Sequence, residues 1–141
     1  MKRTGSAVWK GGLKDGKGTV STESGVLDDV AYSFAKRFGE EKGTNPEELL
    51  GAAHAACFSM ALSAVLGEAG LTADELSTSA AVTVVPAEGG GFEITKVDLT
   101  LRAKIPGASD EAFQEAAAGA KAGCPVSKLF KAEITLDAKL V

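Results

Sequence analysis

Apolar and polar residues alternate along several short segments of the chain, which predicts β-strands. Residues 2–9 alternate loosely, GGLKDGKG can turn the chain, and residues 19–23 can return as the second arm of a hairpin. Residues 77–85 and 92–105 are rich in Val, Ile and Thr and are joined by the turn PAEGGG. They predict an antiparallel pair with one solvated face. Residues 132–141 alternate as a final strand.

The sequence NPEELL opens the most apolar helix of the chain. Asn45 is its N-cap, proline follows as the first helical residue, and Glu47 lies beside the positive end of the helix dipole. The helix should end near residues 67–70. Because residues 49–66 are apolar on nearly every side, we expect this helix to be buried on all sides. One small domain can hardly surround it, so we expect a homodimer.

A second helix is predicted over residues 110–122, because Ser109 precedes two acidic residues and Gly123 ends the pattern. After it, CPVSKLFK predicts a short helical turn. The segment 24–43 carries mixed signals and receives no assignment. The order of strands and helices indicates an α+β fold in a single domain over residues 1–141.

Composition and charge narrow the class of protein. The 141 residues are 45% apolar and carry a formal charge of −4, which suits one domain with a hydrophobic core. Acidic and basic residues are interspersed, so no nucleic-acid groove or membrane-surface patch is indicated. We expect no stretch to approach the roughly 20 apolar residues of a membrane span, and the basic N-terminus lacks the apolar region of a signal peptide. The predicted location is cytoplasmic, and the partner a small molecule or another protein.

The two cysteines are Cys57, within the central helix, and Cys124, before Pro-Val. A reducing cytosol argues against a permanent disulfide, and the chain has too few ligands for a four-ligand zinc site. From the residues alone, Cys57 is either a small buried apolar side chain or a redox group. A metal site of His54 and both cysteines is a weaker alternative than a core histidine bonded to a backbone carbonyl. Ser127 is expected only to cap the turn that presents Cys124.

Chemistry at Cys57 would need help from a cation. Cys57 lies about three turns into the helix, where the dipole does little for a thiolate, and burial raises the thiol pKa above about 8.5. A unit charge about 4 Å away contributes roughly 4 kcal/mol at an effective dielectric of about 20. One well-placed arginine would therefore be enough in principle.

Three motifs carry a resemblance that extends over nearly the whole chain: GKGTVSTESGVLDDVAYSFAKRF, GTNPEELLGAAHAACFSMALS and AGCPVSKLF. They closely resemble the OsmC/Ohr family of thiol peroxidases, and the OsmC branch more than the Ohr branch. The resemblance implies an α+β, OsmC-like fold. In it, antiparallel sheets pack around two long central helices of an intertwined homodimer, with active sites at the interface.

The resemblance also implies the roles of four residues. Cys57 would be the peroxidatic cysteine and Cys124 the resolving one. Arg37 would stabilise the thiolate and the peroxide, and Glu47 would orient Arg37. The implied activity, in oxidative and osmotic stress defence, reduces organic hydroperoxides, and hydrogen peroxide more weakly, through a Cys57 sulfenic acid and a Cys57–Cys124 disulfide. It requires no metal or other cofactor, but it does require an external dithiol, such as the lipoylated protein that serves the Ohr branch.

Helix geometry adds a constraint to these roles. Glu47 and Cys57 lie ten positions apart on one predicted helix, which is a rise of about 15 Å. We therefore expect Glu47, together with Arg37, to act on the cysteine of the partner chain. The alternative function is a non-catalytic, small-molecule-binding dimer of the same fold, with an inert Cys57.

Aromatic side chains cluster before the central helix. They are expected to pack in the core or at the dimer interface, and some to line a pocket for the tail of an organic peroxide. The cluster consists of Trp9, Tyr32, Phe34 and Phe38.

Overall fold

The computed structural model describes residues 1–141 and comprises two units, Met1–Leu49 and Leu50–Val141. Each unit has its own three-stranded sheet. A single domain over residues 1–141 stays a prediction.

The first unit contains an antiparallel sheet in which β1 (Gly5–Lys10), β2 (Lys17–Thr22) and β3 (Val30–Ser33) lie in chain order. The predicted N-terminal hairpin is therefore confirmed, with slightly shifted ends. The short helix α1 (Phe34–Phe38) follows β3 directly. β3 and α1 occupy the segment 24–43, whose mixed signals reflect elements of only four and five residues.

The central helix α2 spans Pro46–Glu68 and begins as predicted. The Asn45 side-chain oxygen accepts a hydrogen bond from the backbone N–H of Glu48 at 2.8 Å, so Asn45 is the N-cap. Burial of α2 on all sides, which was expected to require a partner chain, stays a prediction. A single stripe of α2 is buried, whereas Met60 on another face is 76% exposed. The stripe consists of Gly51, His54, Phe58, Leu62 and Leu66.

The length and composition of α2 also correct a second expectation. Its 23 residues have a hydropathy high enough for a membrane span, although the sequence was expected to contain no such stretch. The reason is that no charged residue interrupts the helix between Glu48 and Glu68. Phe58, Leu62 and Leu66 pack into the hydrophobic core of the second unit, as in the core helix of a globular protein.

The sheet of the second unit contains β4 (Glu75–Pro86), β5 (Phe92–Lys104) and β6 (Glu133–Leu140). The predicted antiparallel pairing of β4 with β5 is confirmed. β6, however, pairs with β5 in parallel, so the prediction of antiparallel sheets is wrong for this strand. Parallel neighbours require a long crossover, which α3 (Asp110–Gly123) and α4 (Pro125–Leu129) supply.

The core of the second unit lies between α2, α3 and one face of β5. Alternate residues of β5 point into it, as the strand's period of two requires, and α3 contributes one apolar side. Ser109 caps α3 by accepting from the Ala112 N–H at 3.2 Å, as predicted. The fully buried side chains of this core include Phe58, Leu62, Leu99, Leu101, Phe113, Ala117 and Cys124.

Gly51 sets how closely α2 approaches β4. A Cβ at this position would lie 2.7 Å from the carbonyl oxygen of Ala80, which is backbone and cannot move aside easily. We expect Gly51→Ala to destabilise the protein by about 1–3 kcal/mol, as overpacked cores do. Denaturant unfolding monitored by circular dichroism measures this change.

Gly67→Ala is the matched control on the same helix, because nothing lies within 4 Å of its added Cβ. It should be neutral or stabilising by up to about 1 kcal/mol. Equal effects of the two substitutions would contradict the steric role of Gly51.

Candidate active site

The fold brings the two cysteines into direct contact. Cys57 lies on α2, and Cys124 lies at the junction of α3 and α4. Both are free thiols, and their sulfur atoms are 2.9 Å apart, with the Cys124 thiol donating to Cys57. Cys124 is completely buried, whereas Cys57 is partly exposed. Of the two sulfurs, Cys57 is therefore the one that a solute can reach.

The surroundings of the two sulfurs differ in their electrostatic effect. Burial raises the pKa of the Cys57 thiol, and the neighbouring Cys124 raises it further, against one backbone N–H, that of Val126. Burial also acts to raise the pKa of Cys124. Hydrogen bonds from Cys57, from the Ser127 N–H and hydroxyl and from the Val126 N–H outweigh it, so the Cys124 pKa is lowered.

When both thiols are protonated, the Cys124 thiol donates a hydrogen bond to Cys57. The directions of the two pKa shifts indicate that Cys124 is also the first of the two to lose its proton. We assign the thiolate of the singly ionised pair to Cys124, because more N–H and O–H donors converge on that sulfur. The remaining proton then lies on Cys57. Within the second unit, no cation is among the groups that shift the Cys57 pKa. No cation of this unit therefore offsets the effect of burial on the Cys57 thiol.

Arg37 and Glu47 form a pair within the first unit. Arg37 Nη2 donates to Glu47 Oε1 at 2.6 Å, and Arg37 Nε donates to both carboxylate oxygens at 3.1 and 3.2 Å. The Arg37 side chain is 35% exposed and that of Glu47 only 12%. Because the carboxylate binds two nitrogens of the planar guanidinium, it fixes the direction of the whole fork. The Nη1 donors of Arg37 remain available to a further acceptor.

An apolar cavity of about 280 Å³ lies beside this arginine in the first unit. The Arg37 guanidinium carbon is 4.8 Å from the centroid of the Phe38 ring, and the rings of Phe34 and Phe38 are 5.1 Å apart. The cavity thus combines aromatic walls with one cation. Its lining consists of Trp9, Leu13, Tyr32, Ser33, Phe34, Arg37 and Phe38.

His54 is fully buried in the second unit and bonded to a side chain. Its Nε2 lies 2.8 Å from the hydroxyl oxygen of Ser127, and its ring packs 5.4 Å from that of Phe130. The expected backbone-carbonyl partner of His54 is therefore wrong. No three His, Cys, Asp or Glu side chains in the chain are grouped to hold a metal ion.

Comparison with known proteins places the chain in a family. Residues 39–139 match the sequence model of the family described as OsmC-like protein. The chain belongs to the OsmC family. It is 56% identical over 140 residues to the Escherichia coli strain K12 protein named peroxiredoxin OsmC, a match that covers 99% of this chain and 97% of that one.

This OsmC-family chain also resembles proteins of the Ohr branch. It is 32% identical over 124 residues to the organic hydroperoxide resistance protein OhrB of Bacillus subtilis strain 168, covering 87% of this chain and 88% of that one. The crystal structure of B. subtilis OhrB matches with a TM-score of 0.72 at 29% identity, over 98% of each chain. The predicted OsmC-like α+β fold is therefore confirmed.

The four residues singled out in the sequence of this OsmC-family chain form two pairs, each within its own unit. Arg37 contacts Glu47, and Cys57 contacts Cys124. The contact of His54 with Ser127 was missed. Its signal was a matched spacing, since His54 precedes Cys57 by three residues and Ser127 follows Cys124 by three.

Burial of His54 has a consequence for the stability of the OsmC-family protein in mild acid. Because burial lowers the pKa of His54 below its ordinary value of 6.5, the folded chain keeps it neutral where the unfolded chain binds a proton. Stability should therefore fall as the pH drops below about 6.5 towards the folded-state pKa, by up to about 1.4 kcal/mol per pH unit.

Urea unfolding between about pH 7 and about pH 5 measures this decline. The control is His54→Gln, which has no titrating ring. Its free energy of unfolding should lack the part of the pH dependence that comes from His54. Equal slopes for both proteins would mean that His54 does not resist protonation in the folded state.

Proposed function

We propose that this OsmC-family protein, a thiol-dependent peroxidase, reduces organic hydroperoxides, and hydrogen peroxide more weakly, with Cys57 as the peroxidatic and Cys124 as the resolving cysteine. The enzyme class follows from the 56% identity to a relative named peroxiredoxin OsmC. The substrate class is supported by a relative named for organic hydroperoxide resistance. The observation that carries the two roles is the 2.9 Å contact between a partly exposed Cys57 and a fully buried Cys124.

The proposed reaction has two chemical steps. The Cys57 thiolate attacks the terminal oxygen of the hydroperoxide, the O–O bond breaks, and the alkoxide leaves and takes a proton. Cys57 is then a sulfenic acid. The Cys124 thiolate attacks its sulfur, the S–S bond forms, and hydroxide leaves and is protonated to water. The contact between the sulfurs supports rapid closure, because the reacting atoms are already adjacent.

In this proposal Arg37 supplies the positive charge that Cys57 lacks in its own unit. The free Nη1 donors of the guanidinium suit a thiolate or a peroxide oxygen, and Glu47 holds the fork in one direction. A charge that acts across a desolvated site offsets the effect of burial on the Cys57 thiol. Arg37 would thus stabilise the thiolate and orient the peroxide, with Glu47 as its positioning residue.

The cavity beside Arg37 supports an organic substrate. Its walls are mainly aromatic, and its volume of about 280 Å³ leaves room for an alkyl or aryl tail. Burial of that tail is favourable by roughly 25 cal/mol per Å² of apolar surface, a gain that hydrogen peroxide cannot make. We therefore expect bulky hydroperoxides to be the better substrates.

The unburied faces of α2 support a homodimer. This helix carries no charged residue between Glu48 and Glu68, yet its exposed residues include Met60 and several alanines. A second copy of the chain would remove this surface from water, as one does at interfaces between permanent partners. We propose an intertwined dimer in which Arg37 and Glu47 act on Cys57 of the partner chain, with active sites at the interface.

The remaining parts of the cycle follow from its chemistry. An external dithiol, for which a lipoylated protein is a candidate, must reopen the Cys57–Cys124 disulfide. The thiol steps need no metal or organic cofactor. We propose a cytoplasmic location, because a dithiol that cycles in this way depends on a reducing compartment.

The two cysteine substitutions should have different effects. Cys57→Ser should abolish consumption of cumene hydroperoxide with dihydrolipoamide as reductant, because the attacking sulfur is gone. Cys124→Ser should retain the first turnover and then accumulate sulfenic or overoxidised Cys57, because nothing closes the disulfide. Peroxide consumption and intact-protein mass measure the two effects, with hydrogen peroxide as the comparison substrate.

Full activity of Cys57→Ser would rule out the peroxidatic role. Inactivity of the wild-type protein towards every peroxide, with an unaltered mass after exposure, would favour the non-catalytic binding dimer.

Complementation between inactive chains tests the dimer and the origin of Arg37 together. Arg37→Met and Cys57→Ser should each be inactive as pure proteins. After mixing and co-refolding, a mixed dimer contains one intact Cys57 facing one intact Arg37 if the arginine acts across the interface. We then expect about a quarter of wild-type activity, since roughly half of the dimers are mixed and each has one working site.

The control replaces Arg102, a half-buried arginine that bonds to Asp137. Arg102→Met should be fully active by itself. A mixture of Arg37→Met and Cys57→Ser that stays inactive, although mixed dimers form, would show that Arg37 does not act on the partner.

A further inference from the structure

Two side-chain contacts join α2 to the start of α4. The contacting residues are three positions apart in each of these two segments. Cys57 meets Cys124 at 2.9 Å between sulfurs, and His54 Nε2 meets the Ser127 hydroxyl at 2.8 Å. Residues three apart on a helix lie on the same side about one turn apart. The second contact therefore fixes the position of α4 against α2 one turn away from the sulfurs.

The burial of this second contact constrains the position of its protons. His54 is fully buried, and its Nδ1 has no hydrogen-bond partner. A buried N–H without a partner is rarer and more costly than an unpaired acceptor. We therefore assign the proton to Nε2, which makes His54 the donor and the Ser127 oxygen the acceptor.

This assignment leaves the Ser127 hydroxyl hydrogen free to bond elsewhere. Ser127 lies in the first turn of α4, immediately after Cys124 and its following proline and valine. Cys124 is the N-cap residue of α4 and Ser127 follows it by three residues, so the Ser127 hydroxyl and N–H lie in the turn that begins at Cys124. Both groups act to lower the pKa of the Cys124 thiol. A hydroxyl that accepts one hydrogen bond is a better donor of the next, because hydrogen-bond chains polarise one another.

We propose that His54 and Ser127 form a buried positioning relay for the resolving cysteine, in which His54 Nε2–H donates to Ser127 Oγ and the Ser127 hydroxyl donates to the Cys124 sulfur. The relay stabilises Cys124 as a thiolate once Cys57 has been oxidised to sulfenic acid. It rests on the proposed function for its oxidant, the hydroperoxide that converts Cys57 to sulfenic acid.

The relay acts in the disulfide-forming step. The Cys124 thiolate supplies the electron pair of the new S–S bond, the S–O bond of Cys57 breaks, and hydroxide leaves and takes a proton from solvent. His54 and Ser127 keep their own protons throughout. They are positioning residues, since neither touches the peroxide or the departing oxygen.

The first test uses no peroxide and therefore does not depend on the peroxidase activity. In a Cys57→Ser background, ultraviolet absorbance against pH follows ionisation of Cys124 alone. Ser127→Ala should move the midpoint to higher pH, and Ser127→Thr, which keeps the hydroxyl, should restore it. An unchanged midpoint in Ser127→Ala would overturn the relay.

The second test follows closure of the disulfide in a single turnover. One equivalent of cumene hydroperoxide is added, and dimedone traps the remaining sulfenic acid at intervals for mass spectrometry. Ser127→Ala should close about 10- to 100-fold more slowly, as misplaced reacting groups do, without slowing the formation of sulfenic acid. Equal slowing of both steps, or of neither, would overturn the proposal.

Two further sets of variants separate the relay from a general loss of packing. Ser59→Ala removes a comparable hydroxyl pair from the same helix, the 2.7 Å contact of Ser59 with Thr78, and should close at the wild-type rate. His54→Gln retains a side-chain N–H and should close faster than His54→Leu. If the wild-type protein forms no sulfenic acid at all, the proposed function fails, while the titration still decides the relay.

Discussion

The parallel pairing of β6 with β5 determines where the second cysteine lies. A chain that leaves one strand and returns parallel to it must cross back over the sheet, and here α3 and α4 make that crossing. α3 buries Phe113 and Ala117 against the core that α2 also enters. The junction between the two crossover helices therefore reaches α2, and Cys124 is the residue at that junction. A crossover without that junction would leave Cys57 without a partner.

Part of this arrangement could be predicted from the sequence. The N-cap at Asn45 and the cap at Ser109 are local signals, so the two long helices began where expected. The direction of β6 was not predictable in this way, because alternation of apolar residues is the same in parallel and antiparallel strands. Short elements in segment 24–43 were also missed, since four or five residues carry too little pattern.

The candidate site could likewise be predicted from the sequence only in part. Motif resemblance was enough to select Arg37, Glu47, Cys57 and Cys124, and both contacts, Arg37 with Glu47 and Cys57 with Cys124, are present. His54 and Ser127 are 73 positions apart, and the choice of a hydroxyl rather than a carbonyl as the partner of a buried histidine depends on tertiary packing. Helix periodicity can suggest that His54 shares a side with Cys57, but it cannot say what faces them.

In the proposed cycle, complete burial of Cys124 would also determine how the thiols are regenerated. A reductant approaching the closed disulfide meets the sulfur of Cys57, so the transient mixed disulfide should form there, with Cys124 as the leaving group. Thiol exchange favours a leaving sulfur of low pKa, and the lowered pKa of Cys124 meets that requirement. The complete burial of Cys124 would also shield it from peroxide. If the proposed cycle holds, regeneration and oxidative damage would both occur at Cys57.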